Sequence, residues 1–104
     1  MFSCTSWGIH SMETDWKKEV HRLFALPKRA KEARELLEAI LTPKEYDEIA
    51  RRWHIVSMLL EGHPQREVRD RARVSIATVT RGAREIQYGN GVFQKYYRRL
   101  SNTR

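Results

Sequence analysis

The side chains best suited to binding another molecule are concentrated between residues 65 and 84. Amides, hydroxyls and guanidinium groups donate hydrogen bonds to phosphate oxygens and to base edges. The groups of this kind are Gln65, Arg66, Arg69, Ser75, Thr78, Thr80, Arg81 and Arg84, with few carboxylates among them. Their chemistry predicts a nucleic-acid surface, although two core helices with a solvated charged face would give a similar local pattern.

The apolar residues of the same stretch predict a helix-turn-helix over about residues 64–86. Val68 and Ala72 share one face of a short leading helix, Val74 fills a turn, and Val79 directs a second helix back onto that face. Ser75 is the expected N-cap of the second helix, which starts near Ile76.

Two positions depart from the usual motif. Arg69 stands where a small residue is common and needs room beside the second helix. Arg73 stands where glycine is common, so it must adopt the backbone of the turn without glycine's freedom.

The charge is unevenly placed along the chain. Residues 1–64 contain ten Lys/Arg and ten Asp/Glu, whereas residues 65–104 contain ten Lys/Arg and three Asp/Glu, which accounts for the whole net charge of +7. The positive field therefore belongs to the helix-turn-helix and the segment after it, as expected for binding to nucleic acid.

The remaining sequence has helical periodicity and predicts an all-α protein of six helices. Residues 1–12 follow no period and are expected to form a disordered arm, with Met12 the natural first residue, before a domain over residues 13–104. The other helices are expected from near Thr14 to Pro27, from Lys28 to Leu41, from Pro43 to about Glu61, and after the breaker Tyr88–Gly91.

The helix that starts at Pro43 has the clearest beginning and the widest apolar surface. Thr42 can cap it and Glu45 can close a capping box. Its buried side is expected to contain Tyr46, Ile49, Trp53, Val56 and Leu60, widened by Ile55 and Leu59. Because a chain of this size builds a small core, this surface predicts a partner chain.

Several other classes of function lack support in the sequence. Cys4 is the only cysteine, and the four histidines form no ligand pair on a shared helix face, so no metal site is expected. No apolar run reaches transmembrane length, and no nucleophile–base pair or carboxylate pair has a recognisable context. The sequence thus favours a cytoplasmic binding protein with no enzymatic activity and no membrane partner.

The chain resembles the bacterial tryptophan repressor family over roughly residues 13–100. The resemblance is strongest in Leu41-Thr42-Pro43, Leu59-Leu60-Glu61-Gly62, Gln65-Arg66-Glu67 and Ile76-Ala77-Thr78-Val79-Thr80-Arg81-Gly82. It implies an all-helical, intertwined homodimer that represses tryptophan biosynthesis genes. In that family L-tryptophan is a non-covalent corepressor, and the two helix-turn-helix units bind half-sites of double-stranded operator DNA.

The resemblance also implies a ligand site. Arg52 and Arg81 match the guanidinium groups that enclose the indole ring, and Arg81 also holds the carboxylate. Gly82 leaves room for the ring, while Leu41 and Thr42 come from the other subunit. Where the family has a Ser contact to the amino group, this chain has Glu85, which either receives the ammonium group or pairs with Arg81 or Arg84.

The positions implied to face DNA are Gln65, Arg66, Arg69, Ser75, Ile76, Ala77 and Thr80. The turn before Gln65 is one residue shorter than the familiar pattern, and Tyr-Gly-Asn-Gly is similar to a related branch of the family. Two alternatives therefore stay open: a tryptophan-independent DNA-binding regulator of the same fold, or a basic helical dimer that binds RNA or an acidic protein.

Overall fold

The computed structural model describes the backbone of residues 9–103 and the side-chain environments of residues 15–103. This part of the chain contains six helices and no strand, which confirms the predicted all-α class. The helices are α1 (Ile9–Phe24), α2 (Ala30–Ile40), α3 (Pro43–Leu60), α4 (Gln65–Ala72), α5 (Ile76–Tyr88) and α6 (Val92–Asn102). None of these helices is both long and apolar enough to cross a membrane. Two compact units divide between Thr42 and Pro43.

The first unit contains α1 and α2. Its first helix begins at Ile9, earlier than the predicted start near Thr14. Residues 9–12 are therefore helical, and the physical reason is that no Gly or Pro interrupts the sequence between Ile9 and Phe24. The rest of the predicted disordered arm, residues 1–8, lies outside the described residues.

The predicted apolar stripe of α1 is largely uncovered. Trp16 is 58% exposed, and Val20 and Phe24 are also exposed. The α1–α2 turn is held by the backbone N–H of Lys28, which donates to Glu32 Oε1 at 2.8 Å. Since α2 contains no buried residue, the described side chains of this unit, residues 15–42, form no closed core within one chain.

The second unit contains the core, which lies where α3, α4 and α5 pack together. The core cluster consists of Ile55, Met58, Val68, Ala72 and Val79, and Leu59 and Val74 pack against it. Val68 and Val79 are fully buried. The predicted core positions of the helix-turn-helix are confirmed, because three of them lie in the cluster and the fourth contacts it.

The prediction for α3 was only partly right. Val56 and Ile55 are buried as expected, but Ile49 is exposed and Met58, which was not predicted, is buried. Within the second unit, α4, α5 and α6 pack against α3. The buried residues are confined to its C-terminal half, so Ile49 has no cover there.

Two helices of this unit end through a residue in the left-handed backbone region. After α3 this residue is Gly62, with φ of 98°, and after α4 it is Arg73, with φ of 56°. The N–H groups of Arg73 and Val74 both donate to the carbonyl of Arg69. Arg73 therefore adopts the conformation that glycine usually supplies, at a steric cost of about 1–2 kcal/mol.

The helices α4 and α5 start with different kinds of residue at the N-cap. Ser75 is the N-cap of α5, and its Oγ accepts a hydrogen bond from the N–H of Thr78 at 3.2 Å. This confirms the predicted cap. Pro64 precedes α4 in the N-cap position and is not its first helical residue.

Candidate functional site

A cavity of about 130 Å³ in the second unit brings together four of the six residues predicted to bind a ligand. Arg52 comes from α3, whereas Arg81, Gly82 and Glu85 come from α5. The remaining walls are Ile55, Val56, Thr78 and Phe93. The other two predicted ligand residues, Leu41 and Thr42, belong to the first unit.

Gly82 lines this cavity where α5 packs against α3. A Cβ atom added to it would lie 3.4 Å from Cγ2 of Ile55 and 3.6 Å from Cδ1 of Leu59. These are van der Waals distances, so α5 approaches α3 as closely as an alanine would allow. The missing methyl group leaves open space between apolar walls.

Three charged residues line the cavity. Within the described part of the chain, Arg52, Arg81 and Glu85 form no ion pair or side-chain hydrogen bond. The predicted alternative, in which Glu85 pairs with Arg81 or Arg84, is therefore absent there. A cation and an anion beside an apolar cavity match a zwitterionic ligand with an apolar side chain.

The other four residues that line the cavity were not predicted to be part of a ligand site. Ile55 and Val56 belong to the predicted buried side of α3, and Thr78 belongs to the predicted nucleic-acid surface. Phe93 lies in the helix expected after the breaker Tyr88–Gly91. The ring of Phe93 packs at a tilt against Trp53 of α3, with 6.3 Å between ring centroids. No local pattern could identify Phe93, because only the packing of α6 on α3 brings it to the cavity.

The residues predicted to face DNA are mostly exposed on α4, on α5 and in the turn between them. Gln65, Arg66, Ser75, Ile76, Ala77 and Thr80 are exposed, and Arg69 is half-buried. The Nε of Arg69 donates to Oδ1 of Asp70 at 2.9 Å, which partly offsets its charge. Thr80 and Gln65 are hydrogen-bonded across the two helices, with 3.1 Å between Oγ1 and Oε1.

The outer side of α5 extends this exposed surface. Its residues Ala77, Thr80, Arg81, Arg84 and Tyr88 lie along a single open groove, and Tyr88 is 75% exposed. Since nearly all the lining residues come from one helix, the groove encloses no ligand. It is a surface that a larger partner could cover.

The turn before α4 is held by a chain of polar contacts. His63 lies between two carboxylates, with its Nε2 3.4 Å from Oε1 of Glu61 and its Nδ1 3.2 Å from Oε2 of Glu67. Tyr97 of α6 donates to Oε2 of Glu61 at 3.1 Å, and Arg71 binds Oε1 of Glu67 at 2.8 Å. These contacts connect α6, the end of α3 and α4, and so define where the helix-turn-helix begins.

Comparison with known proteins identifies relatives of this chain. Residues 15–101 match the sequence profile of the family described as "Trp repressor protein". A Trp operon repressor homolog of Mannheimia succiniciproducens is 34% identical over 88 residues, which are 84% of this chain and 86% of the relative. A homolog of Actinobacillus succinogenes is 37% identical over 73 residues, which are 69% and 71% of the two chains. No solved structure matches.

Proposed function

Because the chain belongs to the Trp repressor family, we propose that it is a sequence-specific transcriptional repressor with L-tryptophan as its corepressor. It acts as a homodimer on double-stranded operator DNA and controls genes of tryptophan biosynthesis. The observation that carries this proposal is the meeting of Arg52, Arg81, Gly82 and Glu85 at one apolar cavity, where the three charged groups have no partner among residues 15–103.

The proposed ligand uses each of these groups. Arg52 and Arg81 stack on the two faces of the indole ring, since a guanidinium group is planar and binds aromatic faces well. Arg81 also holds the carboxylate, Glu85 receives the ammonium group, and Gly82 leaves room for the ring. The cavity of about 130 Å³ is smaller than the roughly 300–1,000 Å³ of common ligand pockets. Leu41 and Thr42 of a second subunit are proposed to complete it.

Ligand binding would affect DNA binding through the angle between helices. Arg52 lies on α3, and Arg81 lies on α5, the second helix of the helix-turn-helix. A ligand held between them favours one orientation of α5, and it raises DNA affinity only as far as it prefers the DNA-competent arrangement. Such coupling is commonly about 1–3 kcal/mol, and operator DNA must tighten ligand binding by the same factor.

The DNA-binding half of the proposal is supported by charge and exposure. The whole net charge of +7 arises from residues 65–104, where Gln65, Arg66, Ser75, Ile76, Ala77 and Thr80 are exposed. Arg66 has no ion-pair partner among the described residues, so it is available to a phosphate. Arg69 is proposed as a further contact.

The homodimer is supported by apolar surface that one chain leaves uncovered. Ile40 and Ile49 are 47% and 43% exposed, and Val92, Tyr96 and Leu100 form an exposed stripe on α6. Isolated apolar residues are normal on a surface, but stripes at helical spacing indicate a missing partner. A second copy of this chain would cover them and supply Leu41 and Thr42.

One experiment tests the function directly. Binding of operator-length duplex DNA is measured with and without saturating L-tryptophan, for the wild type and for two neighbouring variants of α3. Arg52→Ala should lose the tryptophan response and retain weak, salt-sensitive DNA binding. Arg51→Ala, an equally exposed neighbour outside the cavity, should keep the response. Equal wild-type affinity with and without L-tryptophan would refute the corepressor and leave a tryptophan-independent regulator, while preference for RNA would refute both.

A further inference from the structure

The hydrogen bond between Thr80 and Gln65 joins the two helices of the helix-turn-helix on their exposed side. Gln65 is the first residue of α4, Thr80 lies one turn into α5, and 15 residues separate them in sequence. The Thr80 hydroxyl donates to Oε1 of Gln65 at 3.1 Å, and both side chains are exposed. Neither residue therefore presents its full hydrogen-bonding capacity to a partner.

This hydrogen bond limits what each of the two side chains can still donate or accept. A threonine hydroxyl has one proton and two lone pairs, and it normally rotates to donate or accept as its partner requires. Once its proton is directed to Gln65, the hydroxyl of Thr80 can only accept. The amide of Gln65 accepts through Oε1, and its Nε2 keeps two protons for an acceptor such as a phosphate oxygen.

We infer that Gln65 is a positioning residue for sequence recognition, because it restricts Thr80 to reading hydrogen-bond donors in the major groove. The exocyclic amino groups of adenine and cytosine are the donors there, whereas guanine O6 and thymine O4 are acceptors. Because the proton of the Thr80 hydroxyl is engaged, this hydroxyl accepts from the amino groups and has no proton to donate to guanine O6 or thymine O4. This inference rests on the proposed DNA-binding function and adds a role for Gln65 that a phosphate contact alone would not have.

Two substitutions at residue 65 separate the positioning role from the contact with DNA. Gln65→Glu keeps an acceptor for the Thr80 hydroxyl and removes the amide protons, so overall affinity should fall while base preference is kept. Gln65→Met is similar in length but has no comparable acceptor, so the hydroxyl of Thr80 becomes free to donate. The preference of this variant for adenine or cytosine should then relax by roughly two- to tenfold, which is the affinity ratio that one hydrogen bond contributes.

The test is selection of the wild type and variants on an operator library randomised at each position, followed by affinity measurements on single-base changes. Thr80→Val should abolish the preference for adenine or cytosine at the same operator position where Gln65→Met relaxes it. Thr80→Ser keeps the hydroxyl and should retain that preference. Gln87→Met is the same change at an exposed site of α5. Gln87 belongs neither to the predicted ligand site nor to the predicted DNA contacts, so this variant should leave the base preference unchanged. Thermal unfolding of each variant verifies that the fold is intact.

Two results would overturn the inference. In the first, Gln65→Met keeps the wild-type base preference. In the second, Gln65→Glu loses that preference as fully as Gln65→Met does. Failure of the proposed function looks different, since the wild type itself would then select no sequence from the library.

Discussion

Arg81 and Glu85 lie one helical turn apart on α5 and line the same cavity, yet no ion pair joins them in the described part of the chain. A basic residue four positions before an acidic one is the less favourable order on a helix, and exposed pairs contribute little. Glu85 is thus available to the amino group of a ligand.

Glu85 should make the protein select ligands that carry an ammonium group. L-tryptophan should bind more tightly than indole-3-propionate, which lacks that group, because only L-tryptophan forms a charged hydrogen bond with Glu85. The difference should be roughly tenfold, since this bond is partly screened at an exposed site. Glu85→Gln should reduce the difference, whereas Glu48→Gln, on the exposed side of α3, should preserve it. Calorimetric titration of both ligands measures the ratio, and an unchanged ratio in Glu85→Gln would assign the amino group to another residue.

Gly82→Ala should weaken L-tryptophan without unfolding the protein. The new Cβ meets Ile55 and Leu59 at van der Waals distances, and alanine is the better helix former by about 1 kcal/mol. In the cavity, however, the methyl group competes with the indole ring, and overpacking commonly costs about 1–3 kcal/mol. The affinity for L-tryptophan, measured by titration, should therefore fall, while the temperature of thermal unfolding should rise. Full ligand affinity in this variant would place the ring elsewhere.

Arg66 and Ile76 should differ in how they affect DNA binding. Arg66→Ala should weaken all sequences alike and lower the slope of log affinity against log salt by about 0.9, the contribution of one phosphate contact. Ile76→Ala removes an apolar side chain that is 42% exposed at the start of α5, and it should relax base preference without changing the slope. Affinities at several salt concentrations on operator and random duplexes distinguish the two, and the reverse assignment would contradict the proposed orientation of the motif.

Arg73→Gly should stabilise the fold. Arg73 has φ of 56°, a region that costs a residue with a Cβ about 1–2 kcal/mol. Glycine relieves this cost, although its larger conformational freedom in the unfolded chain offsets part of the relief. Arg73→Ala is the matched control, because it removes the same side chain and keeps the strained Cβ. Denaturant unfolding should rank Gly above Ala at this position; equal stability would mean that the turn is not strained.

The chain should be a homodimer with no stable folded monomer. Its buried core in the second unit is small, and the first unit has no buried residue in α2, so a lone chain covers too little apolar surface. Sedimentation at micromolar concentration should give twice the chain mass of 12.4 kDa. A folded, monodisperse species of 12.4 kDa would rule out the obligate dimer.

Local features of the sequence determined the six helices and the N-cap of α5, but not the start of α1. The apolar spacing of Val68, Ala72 and Val79 is enough to predict a buried face, because residues three or four apart lie on the same side of a helix. Ser75 predicts its own cap, since its hydroxyl reaches an N–H only three residues away. The turn at Arg73 was predictable in place, but its positive φ is seen only in the structure.

The composition of the sites was decided by how the helices cross. Arg52, Arg81 and Phe93 lie on three different helices and meet at one cavity only because α5 and α6 both pack on α3. The burial of Met58 and the exposure of Ile49 depend on which half of α3 the other helices cover. The periodicity of the sequence does not contain this information. The Thr80–Gln65 hydrogen bond likewise joins residues far apart in sequence. Such contacts arise from the packing angle of whole helices, a property that no short stretch of the sequence contains by itself.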